Sequence, residues 1–241
     1  MIGDIISMKL SIMQPYLFPY LGYYSLIENT DEFVFFDTPQ YIRKGWINRN
    51  RILSSDNVPI YFTIPVQKAD RNTPIQNIKV SEDFKWKKQF WGNLIRYKSA
   101  PYFNKVMDVV KPVIEEDTVF ISKIAITSII KVAEYLGVET KFHIFSEMNM
   151  DLPEVKEPDE WALYISKEMH ADVYVNPPGG ISFFDRDKYA KNGLKLQFLK
   201  QDLPKYKQFN NVFVPGLSII DVMMFNSPAD IRDMMKNYEI L

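Results

Sequence analysis

LSIMQPYLFPYLGYYSLIENTDEFVFFDTPQYIRKGWINRNR occupies residues 10–51. The apolar run Leu10, Ile12, Met13 reads as a short buried strand. Gln14 to Tyr23 follows as a loop in which Pro15 and Pro19 prevent an early helix. Tyr23 to Glu28 is amphipathic, and Phe33 to Phe36 is a second strand that ends in Asp37. Strand, glycine-bearing loop, helix, strand is the opening of a parallel α/β unit. Ligands bind such units outside the carboxyl ends of the strands. The first loop and the Asp37–Arg51 segment should therefore converge on one cleft. Between residues 43 and 51, Arg43, Lys44, Arg49 and Arg51 surround Trp46, Asn48 and Asn50. Rings, amides and guanidinium groups in one place suit a ligand with a flat ring and phosphates. They also suit an ordinary core beneath a solvated cationic face.

Working outward, Pro59–Val66 and Ile75–Val80 read as strands, with a polar loop between them that carries Lys68 and Arg71. Ile52–Asn57 reads as a turn. Residues 84–97 (FKWKKQFWGNLIRY) form a basic amphipathic helix, which could meet anionic lipid or simply water. Val106–Glu115 is helical with an expected break near Pro112. Val119–Leu136 is a long helix closed by Gly137. Lys141–Phe145 is a strand that holds His143, most simply as a structural histidine. A helix over 157–169 and strands over 171–175 and 194–199 continue the alternation. A helix follows Pro215-Gly216-Leu217-Ser218, and another spans 228–237. About six strands alternate with helices, with no repeat and no Gly/Ser linker. This predicts an α/β fold, a single Rossmann-like domain with a mostly parallel sheet flanked by helices. The domain is expected over 8–241, with 1–7 a short N-terminal extension lacking signal-peptide character.

Two later loops should reach the same edge. In Asn176-Pro177-Pro178-Gly179-Gly180, paired glycines could bring backbone N–H groups to an anion, or form a plain turn. Ser218 could cap its helix or meet a phosphate there. Asp221, one turn later, could act as acid, base or partner for arginine.

Composition narrows the classes. The chain has 241 residues, 46% hydrophobic and 24% charged, which is globular. A net charge of −1 provides no general field for nucleic acid or anionic membrane. The lack of cysteine removes disulfides and thiolate chemistry. Two histidines in separate segments give no HExxH-like spacing, so no metal site is expected. No stretch reaches the roughly twenty apolar residues of a spanning helix, so no stable membrane insertion is expected and cytoplasm is the default.

MQPYLFPYLGYYSLI, FVFFDTPQYIRKGWINRNRI, NPPGGISFFD and PGLSIIDVMMFN together resemble the WbqC family of bacterial O-antigen and surface-polysaccharide gene sets. The resemblance runs from Leu10 to Asn226. It implies a cytoplasmic protein acting on a nucleotide sugar, by N-acyl or aminoacyl (for example glycyl) transfer onto an amino sugar. Relatives open the first motif with His-Gln-Pro, whereas this chain has Met13 and so no imidazole there. Phe18-Pro19-Tyr20-Leu21-Gly22-Tyr23 also resembles, by position, the His-x-Gly-His site of nucleotidyltransferase-like enzymes. That implies an ATP-dependent amide-forming ligase, with Lys44, Arg49 or Arg51 handling the leaving phosphate. Asp37 and Asp221 are then the candidate bases. Gln14, Tyr16, Gly22, Tyr23, Arg43, Lys44, Trp46, Asn48, Arg49, Asn50, Arg51, Asn176, Gly179, Gly180 and Ser218 are the candidates for substrate and nucleotide binding. ATP or acyl-CoA is the donor-side ligand to test, and a homo-oligomer is open. A non-catalytic sugar-nucleotide-binding accessory protein would have the same cleft and the same arginines.

Overall fold

Continuous burial along the first strands explains why helices cover both faces of the sheet. The computed structural model describes residues 7–54, 56–83, 85–210 and 212–241. Most of the N-terminal extension, Ser55 in the expected turn and Phe84 at the expected helix start lie outside the described residues. In β1 (Lys9–Met13) Leu10 and Ile12 face one apolar cluster; in β2 (Glu32–Phe35) Val34 joins that cluster while Phe33 and Phe35 face the other. Because side chains alternate with period two, such strands need apolar cover on both sides.

The cover comes from helices in the intervals between strands. α1 (Leu21–Glu28) joins β1 to β2, and β5 (Lys141–Ile144) follows an excursion of about a hundred residues. That excursion holds the hairpin β3 (Arg49–Leu53) and β4 (Pro59–Thr63), then α2 (Lys85–Leu94), α3 (Phe103–Ile114) and α4 (Ile121–Leu136). After β5 come α5 (Glu160–Glu168), β6 (Val173–Asn176), α6 (Arg186–Lys191) and β7 (Lys195–Gln201). α7 (Ile219–Phe225), α8 (Pro228–Met235) and β8 (Tyr238–Ile240) close the chain. α5 and α6 pack with the Leu10–Ile12 face, whereas α1, α3, α4, α7 and α8 pack with the other.

The six-stranded sheet has the order β5-β2-β1-β6-β7-β8, parallel except for β8, which runs antiparallel to β7. It is a Rossmann-like arrangement, as expected. The order reverses at β1: β2 and β5 build outward on one side, β6 and β7 on the other. Leu10 stands beside Glu32 on one flank and Tyr174 on the other. Loops leaving β1 and β6 in opposite directions open a crevice at this switch point.

Local assignments differ in several places, and α6 and β8 have no counterpart among the expected elements. Arg49–Leu53 is a strand rather than loop and turn, because buried Asn50 and Ile52 alternate with Arg49 and Arg51, and an inward asparagine hides the period. β3 and β4 pair with each other, apart from the main sheet. Residues 75–77 form a 3-10 turn, not a strand. α3 continues past Pro112 to Ile114, since Val106, Val110, Val113 and Ile114 bury one continuous face that outweighs the lost hydrogen bond. Gly137 adopts φ 70° and ends α4 as expected. No helix of the described residues is long and apolar enough to cross a membrane.

Candidate functional site

The switch-point crevice is a cavity of about 540 Å³, within the roughly 300–1,000 Å³ of small-ligand sites. Ile12, Met13 and Gln14 at the end of β1 form one wall, and Tyr174 and Asn176 at the end of β6 another. Trp161 on α5, Phe183 and Phe184 after β6, Phe36 after β2 and Gly45–Ile47 before β3 complete it. Its lining is dominated by rings, with Gln14 and Asn176 as the amides.

Packing fixes these rings. Phe36, Phe145 and Trp161 meet with centroids 5.2–5.9 Å apart, geometries favoured by the ring quadrupole. The Tyr174 hydroxyl donates to Asn176 Oδ1 (3.0 Å), and Asn176 Nδ2 donates to the Pro177 carbonyl (2.9 Å). Burial pushes the Tyr174 phenol above its usual range, so it remains a neutral donor. A Cβ on Gly180 would lie 2.8 Å from the Phe184 ring and closer still to Asn176 Nδ2. Gly180 is thus a spacer that lets these two side chains close on the turn. At Gly179 a Cβ would meet open space.

Gln14, Tyr16, Trp46 and Asn176 are the nominated residues that the fold brings to this cleft. The Tyr16 ring meets Tyr23 edge-on at 5.2 Å, and the Tyr23 hydroxyl donates to the Gln14 carbonyl (3.1 Å). Burial, and then the neighbouring Tyr20, hold the Tyr16 phenol well above its usual range. Gly22 lies one layer back, where a Cβ would come within 2.5 Å of the Tyr20 ring.

The hairpin amides are framework. Asn50 Nδ2 donates to the carbonyls of Leu17 (3.1 Å) and Phe18 (2.7 Å), fastening the first loop to β3. Asn48 donates to Ile64 O (2.7 Å) and accepts from the Tyr41 hydroxyl (2.9 Å). Ser218 caps α7, and its hydroxyl donates to Phe18 O (2.8 Å). That helix terminus is thereby closed against the same loop.

The cations divide into two groups. Arg49 donates through Nε to Gly45 O (3.0 Å) and through Nη2 to Lys44 O, and its guanidinium lies 4.6 Å from the Tyr61 ring centroid. Arg51 reaches Gly216 O (3.3 Å), stacks 5.7 Å from Trp46, and keeps a buried Nε without a hydrogen-bond partner. Arg43 and Lys44 point away from the cleft and line a neighbouring cavity.

Neither nominated carboxylate lines the cleft. Asp37 is buried beyond the end of β2 and accepts from the Ser146 amide (3.0 Å) and hydroxyl (2.7 Å), fixing the turn after β5. Asp221 is fully buried in α7 and accepts from the hydroxyls of Tyr97 and Tyr206, each at 2.6 Å, and from Gln208 Nε2 (3.0 Å). Burial raises the Asp221 carboxyl above its ordinary range, against the lowering effect of those three donors. His143 Nε2 lies 2.6 Å from Glu32 Oε2 across the β2–β5 edge, a structural pairing.

The sequence matches the WbqC-like protein family over residues 14–233. The chain belongs to that family. It is also similar to the Uncharacterized protein Rv1507c of Mycobacterium tuberculosis (strain ATCC 25618 / H37Rv), being 28% identical over 231 residues, which cover 95% of this chain and 97% of that relative. No solved structure matches.

Several cleft residues of this WbqC-like protein escape sequence reasoning. Phe36, Trp161, Phe183 and Phe184 look like core aromatics until the topology sets them around one opening. One local signal exists: Trp161 is 37% exposed on a helix whose buried face is Ala162, Leu163, Ile165 and Ser166. A tryptophan just outside the apolar stripe of its helix is free to form the wall of an adjoining cleft.

Proposed function

We propose that this WbqC-like protein binds a nucleotide-linked sugar in the aromatic cleft, in the cytoplasm, during surface-polysaccharide synthesis. Support comes from one observation above the others: a ring-lined cavity with two amides lies at the point where the strand order reverses. Aromatic faces accept a base or the apolar face of a sugar. Gln14 and Asn176 can read hydroxyl and amide groups by donating and accepting.

The chemistry proposed for the bound sugar is N-acyl or aminoacyl transfer. A free amine would attack the activated acyl carbon, the carbonyl carbon–leaving group bond would break, and the departing group would carry off the amine proton. Among the described residues the cleft lining has no carboxylate, imidazole or ammonium group. Rate enhancement would therefore come from holding the amine against the acyl group and excluding water, rather than from proton abstraction. That same observation favours a second reading, a non-catalytic accessory protein that binds the sugar nucleotide and delivers it.

Thermal-shift titration with UDP-, dTDP- and GDP-linked amino sugars tests the binding reading, because a ligand of the folded state raises the melting temperature by mass action. The expected result is a shift with one of them that Trp161→Ala removes. No shift with any nucleotide sugar would overturn it. Mass-spectrometric turnover with acyl-CoA, or with ATP plus an amino acid, then separates enzyme from accessory. Asp37→Asn and Asp221→Asn are expected to keep binding, and turnover lost in a stably folded variant would return a carboxylate to the mechanism.

A further inference from the structure

A second cavity, of about 680 Å³, adjoins the aromatic cleft, and Ile42 lines both. Its chemistry is the opposite. Arg43, Lys44, Lys68 and Arg71 line it against the single carboxylate of Asp70, with Tyr41 as its one ring. Among the described residues, none of these four cations is paired with a carboxylate.

The two walls are tied together by hydrogen bonds that leave most of the charge free. Gln40 Nε2 donates to Arg71 O (2.5 Å), the Tyr41 amide to Thr73 O (2.9 Å), and Arg43 Nη2 to Ala69 O (2.9 Å). Lys68 and Arg71 are exposed on the facing loop. Four cations against one carboxylate give this cavity a net positive lining that suits an anion shared among them. The turn that separates the cavities is built for division. The Gly45 amide donates to Ile42 O (3.0 Å), and Lys44 sits at φ 61°, a left-handed conformation uncommon for a lysine. This turn sends Arg43 and Lys44 to the basic side and Gly45 and Trp46 to the aromatic side.

We propose that the basic cavity is a diphosphate-binding subsite. Among the described residues, each cavity lacks what the other has: the aromatic one has no cation in its lining, and the basic one has Tyr41 as its one ring. A nucleoside diphosphate derivative needs both, and guanidinium and ammonium groups around phosphate oxygens form the stronger, charge-assisted hydrogen bonds. The assignment of the phosphates to Arg43, Lys44, Lys68 and Arg71 also leaves Arg49 and Arg51 as the supports of the turn and of Trp46. The subsite stands on its own cavity; only the identity of the attached nucleoside rests on the reading of the cleft.

Calorimetric titration with inorganic pyrophosphate, uridine and UDP, repeated with the guanosine and thymidine series, tests it. Lys68→Glu/Arg71→Glu changes two exposed side chains outside the aromatic cleft, and Trp161→Ala changes the cleft alone. The expected pattern is pyrophosphate binding that the charge reversal abolishes, nucleoside diphosphate binding weakened by about tenfold or more, and nucleoside binding left unchanged. Nucleoside diphosphate affinity within about twofold of wild type in the folded double variant would overturn the subsite, as would wild-type protein that binds nucleoside but not pyrophosphate. Pyrophosphate binding sensitive to the charge reversal, without binding of any nucleoside, would support the subsite while defeating the cleft reading.

Discussion

At the scale of single residues, several buried polar side chains tie loops to the core. Tyr97 is the clearest. Its hydroxyl donates to Asp221 (2.6 Å) while accepting from the Leu53 amide (2.8 Å), so one oxygen joins the hairpin, the segment after α2 and α7. Removing it leaves a buried N–H of the hairpin unpaired and takes one of three donors from a buried carboxylate. Such losses cost about 2–4 kcal/mol together. Tyr97→Phe should therefore lower the urea midpoint by that equivalent with an unchanged m-value. A loss under about 0.5 kcal/mol would show that water replaces the hydroxyl and that the hub is not structural. Asp221 also shows why residue-scale function is hard to read from sequence. A carboxylate one turn into a helix after Pro-Gly-Leu-Ser is equally suited to chemistry and to receiving buried tyrosine hydroxyls. The deciding partners, Tyr97 and Tyr206, are 124 and 15 residues away.

At the scale of elements, the β3–β4 hairpin and the turn before it set the shape of both cavities. The turn is held by the fork of Arg49, which bonds two successive carbonyls, Lys44 O and Gly45 O. A lysine cannot reproduce that planar fork. Arg49→Lys should accelerate amide hydrogen exchange across residues 42–47 by about tenfold, the equivalent of some 1.4 kcal/mol, while β3 and β4 keep their protection. Unchanged exchange in the turn would mean that packing of Trp46 alone holds it. The parallel strands of the main sheet were legible because apolar runs such as Phe33–Phe35 and Val173–Val175 are buried on both faces and carry the pattern undiluted. The hairpin was not, since Arg49, Asn50 and Arg51 look like loop chemistry. Asn50 faces inward only because the carbonyls of Leu17 and Phe18 await it there. The nomination of Gln14, Tyr16, Trp46 and Asn176 came from their place after strands, and that is where the cleft lies. Trp161, Phe183 and Phe184 needed the three-dimensional order of β1 and β6 to be recognised.

Across the whole molecule, the aromatic wealth that composition reveals is mainly a core property with a titration consequence. Tyr23, Tyr24, Tyr97, Tyr174 and Tyr189 are at most 2% exposed. All five phenols have their pKa raised, with desolvation as the largest cause. The sign follows from linkage. A group whose folded pKa exceeds its unfolded value favours folding below the unfolded value, and that contribution is lost as pH rises. Near pH 10 the unfolded tyrosines release their protons while the folded ones retain them, so the unfolded state binds fewer protons and is favoured by further base. Each such tyrosine contributes about 1.4 kcal/mol per pH unit, so five give a fall of about 7 kcal/mol per unit once the unfolded chain is ionised. Two such units remove about 14 kcal/mol, comparable to the whole of a marginal stability of about 5–15 kcal/mol. The protein should therefore unfold cooperatively between about pH 10 and 12. Near-ultraviolet absorbance should show tyrosinate appearing together with the loss of helical circular dichroism. Tyrosinate formed stepwise, with helix retained, would mean that these rings reach water in the native state and that the tightly closed aromatic core does not persist in solution.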